Sequence, residues 1–479
     1  MAAPGSSTAE LKSGARQRSG QAESGRLVVV ANRLPVRRVR DDEGDRWVTS
    51  PGGLVAAVHP LLRERGGSWV GWDGTAGKGP DPFDHEGFRV HPVGVSADEL
   101  ENFYYGFSNE TVWPLYHDCI RAPQYHRRWW RAYQRVNERF ADGAVEAAGE
   151  HDTVWIHDYQ LQLVPGLVRE RRPGARIGFF NHIPFPPEEL FAKLPWRRQI
   201  LEGLLGADLV GFQTKLAAKN FARSARQLTS ATGTDTTLQF EGRTIRVGAF
   251  PISIDAGAFE EKVNEERTRR AAEKLSSDFG GRRVILGVDR LDYTKGIDVR
   301  LRAYEEMLRR GRVKVEDVIY VQIAVPTREK VDEYADLRSS VNELVGRING
   351  TYATMENIAV HYVYRSLPFD ELVGCYRAAD VMTVTPFRDG MNLVAKEYVA
   401  TRTDGSGVLV LSEFAGAALE LKQALLVNPH DVDGIADALE RALALDEADA
   451  RKRMASMRRI VRAHDVYAWS DAFLGRLGR

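Results

Sequence analysis

From residue 26 onward, short runs of β-branched and other apolar residues alternate with longer stretches of helical period, and this alternation restricts the possible folds most. Strands separated by helix-length connections pair in parallel, because the crossover returns the chain to the same end of the sheet. The candidate strands are Leu27–Ala31, Val154–His157, Ile177–Asn181, Asp208–Phe212, Val284–Val288, Val318–Val325, Asp380–Thr385 and Val408–Leu411. They are almost continuously apolar, as strands buried on both faces must be. Between the fourth and fifth lie Thr229–Gly242, polar and rich in Thr, and the run VGAFPISIDAGAF, which place an inter-domain linker at Pro251–Gly257. The expectation is two α/β halves of similar size with a binding cleft between them, followed by helices over Asp446–Leu477. A chain of 479 residues accommodates this, since domains take roughly 100–200 residues each.

The 66 Lys and Arg are balanced by 66 Asp and Glu. A chain without a basic excess lacks the electrostatic footprint of a nucleic-acid or anionic-membrane partner, so an anionic ligand must be held by a few placed cations. No apolar run approaches the ~20 residues of a membrane span. Cys119 and Cys375 stand far apart with no CxxC or Cys/His spacing, which points away from disulfides and structural zinc and towards the reducing cytoplasm. Residues 1–25 are rich in Gly, Ser, Ala and Gln and lack a hydrophobic signal segment, so they read as a disordered leader. A homo-oligomer is compatible with the sequence.

Ligands of open parallel sheets bind beyond the carboxyl ends of the strands, so the residues that follow each strand are the informative ones. They are polar in series: Asn32-Arg33, His157-Asp158, Asn181-His182, Asp289-Arg290 with Lys295, Thr327-Arg328 and Arg388-Asp389. In GVDRLDYTKGID the fork of Arg290 and the mobile charge of Lys295 suit a diphosphate; the competing reading is a surface ion pair with Asp289, Asp292 or Asp298. In VTPFRDGMNLVAKEYVA, Asn392 caps a helix whose first N–H groups, around Leu393 and Val394, form a second anion site. Glu397, one turn in, suits the two hydroxyls of a ribose, or merely complements the helix dipole. Asp389 suits sugar hydroxyls, or caps the helix. Ser50-Pro51-Gly52-Gly53-Leu54 opens a further helix, its Gly pair either a plain turn or a backbone able to approach a phosphate or sugar closely. No GxGxxG, P-loop, HExxH or GxSxG signature is present; GTAGKGP has Gly79 where a P-loop needs Ser or Thr.

Together, VVVANRLPV, SPGGL, WVGWDG, YYGFSNETVWPLYH, VWIHDYQLQLVP, IGFFNHIPFPP, ADLVGFQT, VDRLDYTKGID, RINGTYA and VTPFRDGMNLVAKEYVA resemble glycosyltransferase family 20, the trehalose-6-phosphate synthases, over roughly residues 26–475. The resemblance implies a GT-B fold, two Rossmann-like domains with parallel sheets facing a central cleft. Residues 26–254 would form the acceptor (glucose 6-phosphate) domain and 255–455 the nucleotide-sugar domain, with 456–479 crossing back as a helix. It implies transfer of glucose from a nucleotide diphosphate glucose to glucose 6-phosphate with retention, giving α,α-trehalose 6-phosphate. By motif, Arg290 and Lys295 match the diphosphate cations, Leu393 and Val394 the amides to phosphate, and Glu397 the ribose ligand. Asp389 and His182 match contacts to the donor glucose, Gly390, Met391 and Asn392 lie in the same donor loop, and Gly53 lies in a loop that closes over the donor. Asp158 matches a sugar-hydroxyl acceptor; Arg33, Trp72, Tyr105, Trp113 and Arg328 match the acceptor side, both arginines on its phosphate. The base is expected near Ile323 and Tyr364–Pro368, with the donor open between UDP-glucose and GDP-glucose.

Retention often signals a carboxylate nucleophile, but the motifs offer none, and the mechanism implied is a front-face substitution in which the leaving diphosphate takes the proton of the incoming hydroxyl. With cations on the leaving group, neither a metal nor a cofactor is required. Two alternatives are a glucosylglycerol-phosphate synthase, which leaves Trp72, Tyr105 and Trp113 without a purpose, and a non-catalytic sugar-phosphate sensor, in which Arg290, Lys295 and Glu397 need not all be present.

Overall fold

The computed structural model describes residues 25–41, 44–50, 53–118, 121–328 and 332–478. The leader up to residue 24, Pro51, Gly52 and Cys119 lie outside the described residues. All eight expected strands are present within two residues of their expected ends, and they divide between two sheets. The first sheet is ten-stranded, and its central strands Leu209–Phe212, Arg176–Asn181, Thr153–His157, Leu27–Arg33 and Gly67–Trp72 run parallel. The second is six-stranded and parallel throughout, in the spatial order Val360–Val363, Val318–Val325, Arg283–Arg290, Val381–Val384, Val408–Ser412, Leu425–Val427.

The apolar runs behave as strands buried on two faces. Along Leu27–Arg33, Leu27, Val29 and Ala31 face one apolar cluster while Val28 and Val30 face another. Along Arg283–Arg290, Val284, Leu286 and Val288 face the first of these clusters while Ile285 faces a third. Each sheet thus has an outer core of its own, and a continuous apolar layer runs between the two bodies. Several strands lack an apolar run to announce them. Thr237–Phe240 and Arg243–Ala249 form an antiparallel hairpin in and beyond the Thr-rich segment, and Val36–Asp41 pairs with Gly44–Thr49. Alternating polar residues mark these as strands solvated on one face.

The chain passes from the first body to the second at residues 250–255 and returns at Asp465–Val466, and the two crossings lie side by side. Val466 N–H donates to the Ile254 carbonyl at 3.0 Å and the Tyr467 hydroxyl to Asp255 Oδ2 at 3.0 Å. The helix that reaches the first sheet is Val466–Leu477; residue 456 falls inside the preceding helix, Glu447–Ala463, which stays against the second body. Phe473 is fully buried, with its ring centroid 4.8 Å from that of Trp155. It fits because the strands beneath it carry Gly178 and Gly211, where an added Cβ would stand 2.7 and 2.6 Å from the Phe473 ring. Truncating this anchor leaves a cavity that two strands cannot collapse to fill. We expect Phe473→Ala to lose about 3–5 kcal/mol, measured as a fall in the guanidinium midpoint of the first body.

Candidate functional site

The parallel strands of both sheets end at the cleft, and the side chains just past those ends meet there. Arg33, the last residue of its strand, lies over the Trp72 ring at 4.1 Å and 5.5 Å from the Tyr104 ring. From the opposite body, Arg328 stacks on Trp113 at 4.0 Å and Arg290 stands 5.5 Å from the same ring. Tyr104 and Tyr105 belong to Leu100–Val112, a wide π-helix whose i→i+5 bonds include Trp113 N–H to the Ser108 carbonyl. Burial pushes the Tyr104 phenol up, yet the charges of Arg328, Arg33 and Arg290 outweigh burial and hold it below its ordinary value. The charges of three guanidiniums from three strand ends therefore act on one phenol.

Arg328 is 8 % exposed and strongly held. It pairs with Asp292 at 3.2 Å, donates to the Tyr159 hydroxyl at 3.0 Å and also donates to the Tyr334 hydroxyl. Tyr159 in turn donates to Asn109 Oδ1, and Asn109 to the Tyr104 carbonyl, so a hydrogen-bonded chain crosses the cleft. Burial alone would raise the Asp292 carboxyl; Arg328, Arg290 and Lys295 instead hold it down at about 2.

The acidic residues of the Arg290 loop have other partners than the surface-pair reading supposed. Asp289 pairs with buried Arg300, and Asp292 with Arg328. Arg290 makes no ion pair among the described residues. Lys295 pairs with Asp389 at 2.6 Å, and Asp389 also accepts from Asn392 Nδ2. The helix Leu393–Thr401 is capped by Asn392, whose Oδ1 accepts the Ala395 N–H at 3.2 Å, rather than by Asp389. Capping leaves the Leu393 and Val394 N–H groups, which have no intrahelical acceptor, at a helix start. Glu397 accepts from the Tyr376 hydroxyl at 2.8 Å, and burial raises its carboxyl.

Across from this helix, the His182 N–H donates to Asp158 Oδ1 at 3.2 Å, and His182 Nε2 shares a hydrogen bond with His157 Nδ1 at 3.1 Å. Burial lowers His182 to about 3, so the ring is neutral near pH 7. Asp158 is pushed up by burial to about 6, against the opposing pull of the Tyr159 and His182 N–H groups, Arg290 and Arg328. Gly390 brings the two bodies into backbone contact: an added Cβ would stand 2.1 Å from the His182 carbonyl oxygen.

The remaining expected residues are placed unequally. Tyr105 lies beside Tyr104, with ring centroids 5.3 Å apart, and burial raises its phenol. Trp72 is 1 % exposed with its Nε1–H donated to the Thr75 carbonyl, so it supports Arg33 from below. Ile323 is buried inside its strand, and its carbonyl accepts from the Gln322 side chain. Met391 is buried, and Gly53 begins the helix Gly53–Arg65. Tyr159, Tyr334 and His117, not singled out from the sequence, complete the site together with Tyr104 and Asp292. His117 stacks on Trp113 with centroids 4.1 Å apart, and burial lowers it to about 4. An inter-body cavity of about 810 Å³ shares His117, Asp389 and Gly390 with the site but not the three arginines, and it is the arginines that carry the charge chemistry.

Among known proteins, the model of glycosyltransferase family 20 matches residues 25–479. The trehalose-6-phosphate synthase of Mycolicibacterium smegmatis is 52 % identical over 462 residues, covering 94 % of this chain and 92 % of the relative. That of Mycobacterium tuberculosis is 52 % identical over 473 residues, covering 94 % of each. An α,α-trehalose-phosphate synthase (UDP-forming) from Burkholderia xenovorans, solved in complex with glucose-6-phosphate, superposes with a TM-score of 0.88 at 35 % identity over 95 % of this chain and 100 % of that one. An E. coli structure bound with UDP-2-fluoro glucose gives 0.87 at 35 % identity over 94 % and 98 %. With its site assembled from the strand ends of two facing sheets, the chain belongs to glycosyltransferase family 20.

Proposed function

We propose that this chain transfers glucose from a nucleotide diphosphate glucose to glucose 6-phosphate with retention, forming α,α-trehalose 6-phosphate in trehalose biosynthesis. The observation that carries the reading is the gathering of Arg33, Arg290 and Arg328 around Tyr104 and Trp113, beside Lys295 and a helix start. Such a density of cations suits two phosphorylated substrates held head to head. The division of labour follows the two sheets, with residues 26–254 taking the acceptor and 255–455 the nucleotide sugar. In this reading the enzyme works in the cytoplasm without a nucleic-acid or membrane partner, and assembly as a homo-oligomer is compatible with it.

The mechanism we infer rests on placement and charge. Arg33 and Arg328 hold the acceptor phosphate and aim a sugar hydroxyl at the donor carbon. Arg290, Lys295 and the N–H groups of Leu393 and Val394 take the charge that grows on the leaving diphosphate. Lys295 and Asp389 neutralise each other at 2.6 Å, and donor binding would redirect them, the ammonium to the diphosphate and the carboxylate to glucose hydroxyls. His182 is neutral, so it acts as a hydrogen-bonding partner of the donor sugar rather than as a proton source at neutral pH. Glu397 receives the ribose hydroxyls. The proton leaves the acceptor hydroxyl for the departing diphosphate oxygen as the new glycosidic bond forms on the same face.

Incubating the protein with glucose 6-phosphate and UDP-, GDP- or ADP-glucose in turn, with nucleotide release and disaccharide phosphate both measured, tests the reading and selects the donor. Turnover with none of them would replace it by a sensor. We expect Arg290→Ala and Lys295→Ala each to lower kcat by about 10²–10³-fold, the cost of one preorganised charge-stabilising group. Arg33→Ala should instead raise KM for glucose 6-phosphate by roughly 10- to 100-fold at 1.5–3 kcal/mol per charged hydrogen bond. Near-parental constants in any of the three would remove that residue's role.

Asp158 is a strong, charge-assisted acceptor for a hydroxyl only when ionised, and burial has raised it to about 6. Activity should therefore fall as pH drops through about 6, and Asp158→Asn should lose that acid limb together with most turnover. The substrate phosphate also titrates near 6. A limb that persists unchanged in the asparagine variant would belong to the phosphate and not to Asp158.

A further inference from the structure

Far from the cleft, where the helix Gly53–Arg65 crosses the edge of the first sheet, three side chains converge that take no part in the transfer chemistry, the two imidazoles packed edge-on against Phe88. We propose that His59, His85 and Glu86 form a binding site for a divalent transition metal of the Zn²⁺ type, a clasp between that helix and the turn joining Phe83–His85 to Phe88–Pro92.

His59 Nε2 stands 3.5 Å from Glu86 Oε2 and His85 Nε2 stands 3.6 Å from Glu86 Oε1, and all three ligand atoms lie within 4.8 Å of one another. Both imidazole Nε2 atoms are buried and have no hydrogen-bond partner, and His59 as a whole is only 8 % exposed. Both nitrogens stand within ion-pair distance of the same carboxylate yet make no hydrogen bond to it, and a buried polar atom without a partner costs about 1–3 kcal/mol. A metal would satisfy both at once. Bonds of about 2.0–2.2 Å in tetrahedral array set neighbouring ligands about 3.4 Å apart, close to the two separations seen here. Two imidazoles and a carboxylate suit Zn²⁺ or Co²⁺ rather than Ca²⁺ or Mg²⁺, which prefer oxygen alone. Water would take the fourth position.

The turn itself is consistent with this. Glu86 has φ 43° and Gly87 φ 91°, a two-residue hairpin turn with both central residues left-handed, and His85 pairs with Phe88 across it. Asn, Asp or Gly normally occupies the first of these positions; Glu there accepts backbone strain and directs its carboxylate at the two histidines. The charge of nearby Arg63 opposes a cation, though that side chain is exposed to solvent.

The test uses the full, tag-free chain. Titration with Co²⁺ should give one equivalent bound with the intense visible absorption of a tetrahedral site, displaced by Zn²⁺, and one equivalent of Zn²⁺ should raise Tm. His85→Gln and Glu86→Gln should abolish the spectrum and the Tm shift while leaving the metal-free far-UV circular dichroism unchanged. Glu86, whose side chain is 43 % exposed, is the decisive variant should a histidine replacement fail to fold. Absence of stoichiometric uptake by the parent overturns the proposal. So does a weakening in Glu86→Gln of less than about 10-fold, since even an outer-shell partner of a metal is worth roughly 10–100-fold.

Discussion

Everything at the cleft depends on how closely two backbones approach. At Gly390 the second body touches the first with no side chain between, close enough that a Cβ would stand 2.1 Å from the His182 carbonyl oxygen. The chain on either side of Gly390 carries Asp389 and the capped helix from Leu393, while His182 N–H is bonded to Asp158. One contact therefore fixes the loop before Leu393 in one body against the loop that follows Asn181 in the other. The cross-cleft chain from Arg328 through Tyr159 and Asn109 to Tyr104 depends on the same approach, since its hydrogen bonds of about 3 Å admit little drift.

A chain with zero net charge builds a positive cleft by deciding which cations are paired. The acidic residues that flank Arg290 in sequence are spent elsewhere, Asp289 on Arg300 and Asp292 on Arg328. Asp289 and Arg300 are both fully enclosed, so their attraction is set against a large desolvation cost and serves to shape the loop. What emerges at the strand ends is Arg290 and Arg33 without ion pairs among the described residues, and Lys295 paired with Asp389.

The two-sheet frame was legible because buried parallel strands must be apolar on both faces, and Val284–Val288 or Val408–Leu411 can hardly be read as anything else. The site was legible only in part. Arg33, Asp158, His182, Arg290 and Arg328 could be found because strand ends in such sheets are where ligands bind, a rule that operates along the sequence. Tyr334, His117 and Tyr159 could not, since none follows a strand end directly: Tyr159 matters through Arg328, 169 residues on, and Tyr334 and His117 through side chains one or two helical turns away whose own role the fold decides. The π-helix over Leu100–Val112 leaves no simple periodic trace in the sequence. His59 and His85 form no motif at all; a helix and a hairpin turn bring them together.

Backbone strain marks where that rule along the sequence meets chemistry. Asp158 sits at φ 75°, ψ 169°, a region of conformational space populated almost entirely by glycine, and Arg328 at φ 48° and Asn392 at φ 78° are also left-handed. Each such residue costs on the order of 1–3 kcal/mol, sustained only when the surroundings over-determine it. At Asp158 the surroundings are the buried strand Thr153–His157 on one side and the short helix Tyr159–Leu161 on the other. A glycine would relieve the strain and remove the carboxylate whose ionisation burial already disfavours, so the fold alone gives no reason for aspartate there. The stability surrendered at these positions is matched by rigidity elsewhere, in the apolar layer between the sheets and the Phe473 anchor, and the cleft keeps its charged groups in costly positions because the sheets that carry them do not yield.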